Sequence, residues 1–203
     1  MNYDDPFAPT PDVPAAALPA PRSRTEHLTR LAEEAVGWLK TLTSAAVYAT
    51  LIVTFGFQIA RVEGQSMEPT LENQDRLVVN KLAYRFADPQ VGDIVMLEYP
   101  LNPDLSYVKR IVAGPGDAIR SVDGHVYRND VLLPDEFIPA DDKSNDTWEP
   151  KIVPPAQYFV MGDNRANSSD SRTWGLVPKK YILGKVQVRW WPLTRARIFE
   201  GFN

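Results

Sequence analysis

One serine, Ser66, stands in the loop GQSMEPTL (residues 64–71), which mixes polar and apolar residues and contains a stiffening proline. A serine hydroxyl is a weak nucleophile at its ordinary pKa and needs a base within hydrogen-bonding distance. Histidine is the usual base, but the two histidines are badly placed, because His27 precedes the most apolar segment and His125 lies at a predicted hairpin turn. A Ser-His-Asp triad is therefore not favoured. A lysine base remains open, because Ser-Lys pairs perform the same acyl chemistry.

Lys109 is the lysine with the most suitable setting. In the segment DLSYVKRIVAGPGD (residues 104–117) it interrupts an apolar strand. Strand alternation places it on the same face as Tyr107 and Ile111 and turns Arg110 to the other face. Burial among apolar groups lowers the pKa of a lysine, and a value near 7 requires a shift of about three units. The alternative is a lysine at the edge of a strand, with a buried stem and an ammonium group in water.

A third segment, MGDNRANSSDSRTWGLVP (residues 161–178), combines short polar residues with two acid–base pairs: Asp163, Arg165, Asp170 and Arg172. An ordinary loop of this length needs only to be solvated. The two pairs predict an ion network that holds a turn rigid behind a functional site.

The composition of the chain limits the fold and the class of function. A net charge of −4 without a dense basic tract gives no support for a nucleic-acid partner, and the absence of cysteine removes disulfides, thiolate metal sites and a cysteine nucleophile. Short apolar runs alternate with turn signals over residues 61–203, and SVDGHVYRND reads as a hairpin that turns at Asp123 and Gly124. We predict a mostly β, antiparallel sheet or barrel-like domain, with a small flap or subdomain at about residues 118–156.

The first sixty residues divide into three compositions. Residues 1–22 are rich in proline and alanine and predict a disordered tail. Residues 23–40 begin with a capping box, Ser23 and Glu26, and continue with apolar residues at helical spacing, which predicts an amphipathic helix. Residues 41–60 carry no charge and would span roughly 30 Å as a transmembrane helix, although a buried core helix is the alternative. The lysines and arginines on the two sides only slightly favour a cytoplasmic N-terminus.

Three segments, in the same order along the chain, resemble the bacterial type I signal peptidases, or leader peptidases, which are membrane-anchored serine proteases with a Ser-Lys dyad. The segments are GQSMEPTL, YVKRIVAGPGD and MGDNRANSSDSRTWGLVP, and QVGDIVML and RWWPL resemble family segments as well. The resemblance implies that Ser66 is the nucleophile, that Lys109 is the general base and that Ser168 orients the lysine amine. It also implies a structural role for Asp163, Asp170 and Arg172.

The resemblance implies an enzyme without metal or cofactor that removes signal peptides from exported preproteins, after small residues of the A-x-A type, through an acyl-enzyme. Its partners would be these signal peptides and the lipid bilayer. The chain would be a single-pass protein of the plasma (inner) membrane, with a cytoplasmic N-terminus and an extracytoplasmic catalytic domain. Trp190 and Trp191 would either seat that domain at the lipid interface or pack in its core. The expected walls of the substrate pocket are Met67, Leu71, Tyr107 and Val108.

Two positions depart from the family pattern, and two other functions stay open. Some relatives carry a serine where this chain has Gly64, and many carry an acidic residue where it has Ala166. A self-cleaving Ser-Lys repressor-type protease would have a DNA-binding N-terminal domain and no membrane span. A non-enzymatic, membrane-tethered β scaffold would leave Ser66 inert toward acylating reagents.

Overall fold

The structure is a computed structural model that describes residues 24–202, with side chains described from Leu31 onward. The predicted tail, residues 1–22, and the first residue of the predicted capping box, Ser23, lie outside the described residues. The chain divides into two compact units between Val47 and Tyr48.

The first helix, α1, runs without interruption from Arg24 to Gly56 and so joins the predicted amphipathic helix to most of the predicted span. Its part from Leu31 to Gly56 has a mean hydropathy of 1.4, and none of its most apolar window is buried. Those 26 residues extend about 39 Å as a helix, which exceeds a hydrocarbon core of about 30 Å. By length and composition, α1 could cross a membrane.

The predicted span ends four residues too late, because Phe57–Ala60 belong to a strand. Residues Phe57–Arg61 pair one to one with Arg76–Asn80 in antiparallel register. Gly56 ends the helix directly before this strand, and glycine is among the weakest helix formers. Backbone pairing with a distant strand therefore decides the boundary, and residue hydropathy does not record that pairing.

Twelve strands and two short helices follow α1. The short helices are α2 (Ala83–Phe86) and α3 (Ser171–Trp174). The strands are β1 (Phe57–Arg61), β2 (Arg76–Asn80), β3 (Ile94–Tyr99), β4 (Asn102–Ala113), β5 (Ala118–Val122), β6 (His125–Arg128), β7 (Val131–Leu132), β8 (Trp148–Ile152), β9 (Gln157–Met161), β10 (Val177–Pro178), β11 (Ile182–Trp191) and β12 (Arg197–Ile198).

These strands form two antiparallel sheets, which confirms the predicted mostly β fold. The larger sheet has the order β1-β2-β11-β3-β4-β9-β10, with β12 paired to β11, and the smaller has the order β7-β6-β5-β8. The smaller sheet lies within the segment predicted as a flap or subdomain. The predicted hairpin is β5–β6, in which Val122 pairs with His125 across the turn.

The strand that carries Lys109 changes its environment along its length. Residues at the start of β4 are exposed, whereas the five residues from Lys109 to Ala113 are all buried. Strand β2 shows the alternation expected of a half-buried strand, with Leu77 and Val79 fully buried. The sheet therefore presents one end of β4 to the interior, beside the loop that joins β1 to β2.

Candidate active site

Ser66 lies in the loop between β1 and β2, which is closed at its base and anchored from within. The Val62 N–H donates to the Asp75 carbonyl over 2.8 Å, and the Leu71 N–H donates to the Met67 carbonyl over 2.8 Å. The resulting turn directs Met67 and Leu71 into the core, where they are 1% and 0% exposed. Burying two such side chains contributes about 1.5–3 kcal/mol each. Ser66 remains half-buried at the surface of this anchored loop.

Lys109 reaches Ser66 from strand β4, which two other strands, β11 and β3, separate from β2 in the sheet. Its Nζ lies 2.5 Å from the Ser66 Oγ, and the residue is only 2% exposed. Among the described residues no carboxylate forms an ion pair with it. Burial lowers the pKa of Lys109 from 10.5 to about 8, while the more distant charges of Asp170 and Asp163 act in the opposite direction. An amine with this pKa is partly neutral near physiological pH and can accept a proton.

The segment after β9 packs its backbone directly on Ser66. The Asn164 N–H donates to the Ser66 carbonyl over 3.2 Å. A Cβ atom at position 162 would lie 2.2 Å from that carbonyl oxygen and 2.3 Å from the Ser168 Oγ, so only Gly162 permits this approach. The Ser168 Oγ is buried and has no hydrogen-bond partner among the described residues. Ser66 and Ser168 are therefore brought to the same glycine, although Ser168 does not contact Lys109 through a hydrogen bond in this structure.

Two ion pairs, one partly buried and one fully buried, hold this segment in place. Arg172 binds Asp170 with two hydrogen bonds of 2.9 and 2.8 Å, and it reaches Asp146 with its third nitrogen at 2.8 Å. The same Asp170 carboxylate accepts the Gly162 N–H over 3.0 Å. Because a bidentate arginine–carboxylate pair fixes orientation as well as distance, the pair holds the backbone of Gly162 against the serine loop.

The second pair joins the segment to β4. Arg110 binds Asp163 with two hydrogen bonds of 2.8 Å each. Arg165, in contrast, donates its Nε–H to the Gly162 carbonyl over 3.0 Å and forms no ion pair among residues 24–202. Burial lowers the pKa of Arg165. Of the two acid–base pairs within this segment that spacing suggested, only Arg172–Asp170 forms. Asp163 pairs instead with Arg110 on β4.

Ser66 and Lys109 open onto a cavity of about 540 Å³. Its other lining residues are mostly polar: Glu63, Gly64, Gln65, Asn73, Tyr107, Asn167 and Ser169. A larger cavity of about 900 Å³, lined in part by Tyr158 and Lys179, does not include either member of the pair. The chemistry of the site therefore assigns the smaller cavity as the candidate substrate cleft.

Comparison with known proteins agrees with this geometry. Residues 35–191 match the family described as signal peptidase, peptidase S26. The chain belongs to this family. Its probable signal peptidase I-2 relative from Synechocystis sp. is 40% identical over 167 residues, covering 78% of this chain and 76% of the relative. The signal peptidase I of Leptolyngbya laminosa is 34% identical over 196 residues, covering 93% and 92%.

A crystal structure of a signal peptidase I from Enterococcus faecalis V583 covers 50% of this chain and 98% of its own, with 28% identity and a TM-score of 0.43. The relatives named signal peptidase I establish that the chain is an enzyme of this type, a serine protease that acts without a cysteine nucleophile.

The structure of the enzyme corrects part of the predicted substrate pocket. Tyr107 lines the cavity, but Met67, Leu71 and Val108 are not among its lining residues. Met67 and Leu71 are core residues, and Val108 packs against the same cluster. The sequence shows that apolar residues follow Ser66, but the helical turn at Leu71 decides which way they point, and it sends both inward.

The roles of two residues of the site, Gly162 and Arg110, were not predicted from the sequence. Gly162 was seen only as a neighbour of charged residues, although its lack of a side chain allows the close approach to Ser66. Arg110 was placed on the face opposite Lys109 and given no partner. A buried arginine needs a partner, so a search for a distant carboxylate would have been the available signal.

At Gly64 and Ala166, the two positions that depart from the family pattern, the backbone forms local hydrogen bonds. Gly64 has a φ of +93°, a conformation that favours glycine over serine, and its N–H donates to the Asn73 side chain over 3.2 Å. The Ala166 N–H donates to the Asp142 carbonyl over 3.0 Å, so a backbone contact supports the segment there.

His125, Trp190 and Trp191 do not line the cavity at Ser66 and Lys109. His125 is 47% exposed at its side chain and lies 3.4 Å from Asp135. Trp191 is 46% exposed, whereas the indole nitrogen of Trp190 is buried. Neither tryptophan lines the cavity. Trp191 thus faces outward, and Trp190 is partly packed.

Proposed function

We propose that the enzyme removes signal peptides with Ser66 as nucleophile and Lys109 as general base. The observation that carries this proposal is the 2.5 Å distance from the Lys109 Nζ to the Ser66 Oγ, made by a lysine that is 2% exposed. The pKa of about 8 that burial gives Lys109 leaves a fraction of the amine neutral near physiological pH, and that fraction can accept a proton. The family match and the apolar α1 favour this function over a self-cleaving repressor-type protease.

In the first step, the Ser66 Oγ attacks the carbonyl carbon of the scissile peptide while its proton passes to the Lys109 amine. The peptide oxygen becomes an oxyanion, and the Ser66 N–H is the donor available to it. Among the described residues that N–H makes no hydrogen bond. A donor that is already oriented stabilises developing charge without reorganisation. The oxyanion hole requires no side-chain hydroxyl from Gly64.

In the second step, the tetrahedral intermediate collapses and its C–N bond breaks. The Lys109 ammonium returns its proton to the leaving amine, which becomes the new N-terminus of the mature protein. Water then attacks the acyl carbon and gives a proton to Lys109, and the ester bond breaks as the Lys109 ammonium returns that proton to the Ser66 Oγ. The signal peptide leaves with a free carboxylate, and both residues return to their starting state.

Ser168 is proposed to orient the amine of Lys109. A neutral amine must point its lone pair at the serine hydroxyl, and its N–H groups need acceptors. The Ser168 Oγ is buried, has no hydrogen-bond partner within the described part of the chain, and lies against Gly162, as does the Ser66 carbonyl. A buried hydroxyl without a partner is unfavourable. A rotation of the Ser168 side chain toward the amine during turnover would relieve it. Asp163, Asp170, Arg165 and Arg172 are proposed to hold the backbone behind this contact.

Cleavage after small residues is the specificity we propose for the cleft. Its support is the family assignment together with Tyr107, whose ring lies 5.4 Å from the Lys109 Nζ and limits the space beside the dyad. A bulky side chain directly before the cut would meet this ring. Replacing alanine there with phenylalanine is expected to suppress hydrolysis, and equal rates for both substrates would contradict the assignment.

We propose that α1 anchors the enzyme in the plasma (inner) membrane, with the N-terminus in the cytoplasm and the catalytic domain outside the cell's interior. The support is an uninterrupted apolar helix whose large side chains, such as Leu42, Ile52 and Phe55, are exposed. Extraction of membranes with alkaline carbonate tests the anchor. The chain should stay in the pellet, and release into the supernatant would contradict a spanning segment.

The dyad is tested by cleavage of a preprotein with the detergent-solubilised full chain, followed by sequencing of the new N-terminus. Ser66→Ala and Lys109→Ala should each abolish cleavage, and the double variant should be barely worse than either, because residues that act as a unit are not additive. Ser106→Ala and Lys180→Ala are matched controls at exposed positions and should retain full activity. Additive losses, or cleavage by Ser66→Ala, would show that these residues do not form the dyad.

A further inference from the structure

Arg110 is held by more groups than its ion pair requires. Besides the two bonds to Asp163, its Nη1 donates to the Gly92 carbonyl over 2.9 Å and to the Gly201 carbonyl over 3.2 Å. The residue is 4% exposed. Every nitrogen of the guanidinium is thus engaged, and one acceptor comes from the segment Gly201–Phe202, far along the chain.

Two aromatic rings contact the same guanidinium. The Arg110 Cζ lies 5.4 Å from the centre of the Phe202 ring and 5.1 Å from that of Phe137. Phe202 fits closely, because a Cβ atom at Gly92 would come within 2.7 Å of its ring. A cation near an aromatic face gains about 0.5–2 kcal/mol, and more as water is excluded. Phe202 therefore restricts where the Arg110 guanidinium can lie.

The position of this guanidinium matters to the dyad through electrostatics. Three charged groups act on the Lys109 amine: the Asp163 and Asp170 carboxylates favour its protonated form, and Arg172 opposes it. Arg172 compensates Asp170, and Arg110 compensates Asp163. If Arg110 moved away from Asp163, a buried carboxylate would act on Lys109 without a counter-charge.

We propose that Phe202 is a positioning residue of the active site: by holding the Arg110 guanidinium on Asp163, it limits how strongly the charge of that carboxylate acts on Lys109. The proposal rests on the proposed role of Lys109 as the general base. Phe202 touches neither the dyad nor the cavity onto which it opens. Its effect should therefore appear in the protonation of the base and not in the binding of substrate.

The direction of the effect follows from the sign of the charges. Phe202→Ala removes one wall from Arg110, and its guanidinium then spends part of its time in water. The less compensated Asp163 raises the pKa of Lys109, so a smaller fraction of the amine is neutral at pH 7. Each unit of increase lowers the rate tenfold at a pH below both values. At alkaline pH the amine is neutral in both enzymes, and the rates should converge.

The experiment measures kcat and KM from about pH 6 to about pH 10 for the solubilised full chain, with a peptide that spans a preprotein cleavage site. Phe202→Ala should lower kcat by about tenfold at pH 7 and by less than about twofold at the alkaline end, with KM unchanged. Phe202→Tyr keeps the ring and should follow the wild type. Phe86→Ala is the matched control, since Phe86 is 88% exposed, and should overlay the wild type at every pH.

A loss of equal size at every pH would overturn the proposal, because it would indicate a damaged fold and not a displaced charge. An unchanged profile would overturn it as well. Should Phe202→Ala fail to fold, Phe202→Leu keeps apolar volume without the ring and should shift the profile in the same direction by a smaller amount. A failure of the dyad itself is distinguishable, because the wild-type profile would then lack a deprotonation that depends on Lys109.

Discussion

Lys109 and Arg110 are adjacent cations on β4 that leave the strand on opposite faces, and the structure treats them in opposite ways. Both are buried, at 2% and 4% exposure. Lys109 contacts a serine hydroxyl and has no ion pair with a carboxylate among the described residues. Arg110 has a bidentate carboxylate. On β4, the buried cation without a carboxylate partner is the one proposed to react, and the buried cation with a bidentate carboxylate is structural.

The choice of residue on each face follows from the chemistry of the two cations. A guanidinium stays charged at any working pH and matches a carboxylate with two parallel bonds. An ammonium loses its proton when it is desolvated. The shift of the Lys109 pKa from 10.5 to about 8 corresponds to about 3 kcal/mol of disfavoured charge. The fold tolerates this cost at the one cation that the proposed reaction needs in its neutral form.

The largest effect is expected from Lys109→Arg, which places an arginine on both faces of β4 and so removes the difference between the two cations. Lys109→Arg should lower kcat by more than about 10⁴-fold, as does the loss of a catalytic base that acts as a unit with its nucleophile. The guanidinium keeps its proton and cannot accept one from Ser66. Single-turnover cleavage of a preprotein measures the loss. Activity that returned above pH 10 in this variant would contradict the role of the base.

The next effect in size comes from removing the partner of Arg110. Asp163→Asn leaves a buried arginine without its counter-charge, which should lower the free energy of unfolding by about 3–5 kcal/mol. For a domain of this size that corresponds to a fall in Tm of roughly 10 °C. The folded fraction should reach half of its maximal rate at a lower pH than the wild type, because Asp163 favours the protonated form of Lys109.

The matched control for this change is Asp130→Asn. Asp130 pairs with Arg120, but its side chain is 86% exposed, and exposed pairs contribute between about 0 and 1 kcal/mol. Thermal unfolding followed by circular dichroism compares the two variants. Equal changes in Tm would mean that burial does not distinguish the Arg110 pair from a surface pair.

A smaller effect is expected from removing the Ser168 hydroxyl. This change tests how the neutral amine of Lys109 is oriented, a requirement that Arg110 does not have. Ser168→Ala should lower kcat by about 10²-fold, as losses of residues that support a catalytic group often do. The pH dependence should keep the same single deprotonation, because Lys109 is still the base. Ser169→Ala, one position along, should be milder. If Ser169→Ala were the damaging change, the proposed register of this segment would be incorrect.

The sequence predicted the parts of the fold that depend on local pattern. Alternating apolar residues predicted strands such as β2 and β4, and the Asp-Gly turn predicted the β5–β6 hairpin. Strand alternation and the apolar neighbours of Lys109 left two settings open, a buried lysine and a lysine at the edge of a strand, and the structure buries it at 2% exposure. Its contact with Ser66 followed from the resemblance, since 43 residues separate the two positions and no local rule spans that distance.

The features that the sequence did not predict all depend on contacts between distant segments. The end of α1 at Gly56 depends on pairing between β1 and β2. The partner of Asp163 is Arg110, 53 residues away, whereas spacing alone suggested Arg165. Met67 was predicted to face a substrate because it follows Ser66, but the turn of the loop buries it. Periodicity reports which face a side chain occupies in a strand, and it is silent about irregular loops.

The smallest expected effect concerns stability. Because the native pKa of Lys109 is lowered to about 8, the unfolded chain binds more protons than the native chain between about pH 8 and the ordinary lysine pKa. The free energy of unfolding therefore rises with pH across that window, and the penalty of the buried charge is fully present below it.

Lys109→Met keeps a flexible apolar stem and removes the charge. It should raise the free energy of unfolding at pH 7 by between about 1 and 3 kcal/mol, or Tm by about 2–10 °C. The advantage should shrink as the pH approaches the upper end of the window, where the wild-type amine is neutral in both states. Lys180→Met, at an exposed position, should show no such dependence. If Lys109→Met were less stable than the wild type, and by the same amount at pH 7 and at alkaline pH, the buried amine would carry no charge penalty. The contrast with Arg110 would then lose its energetic basis.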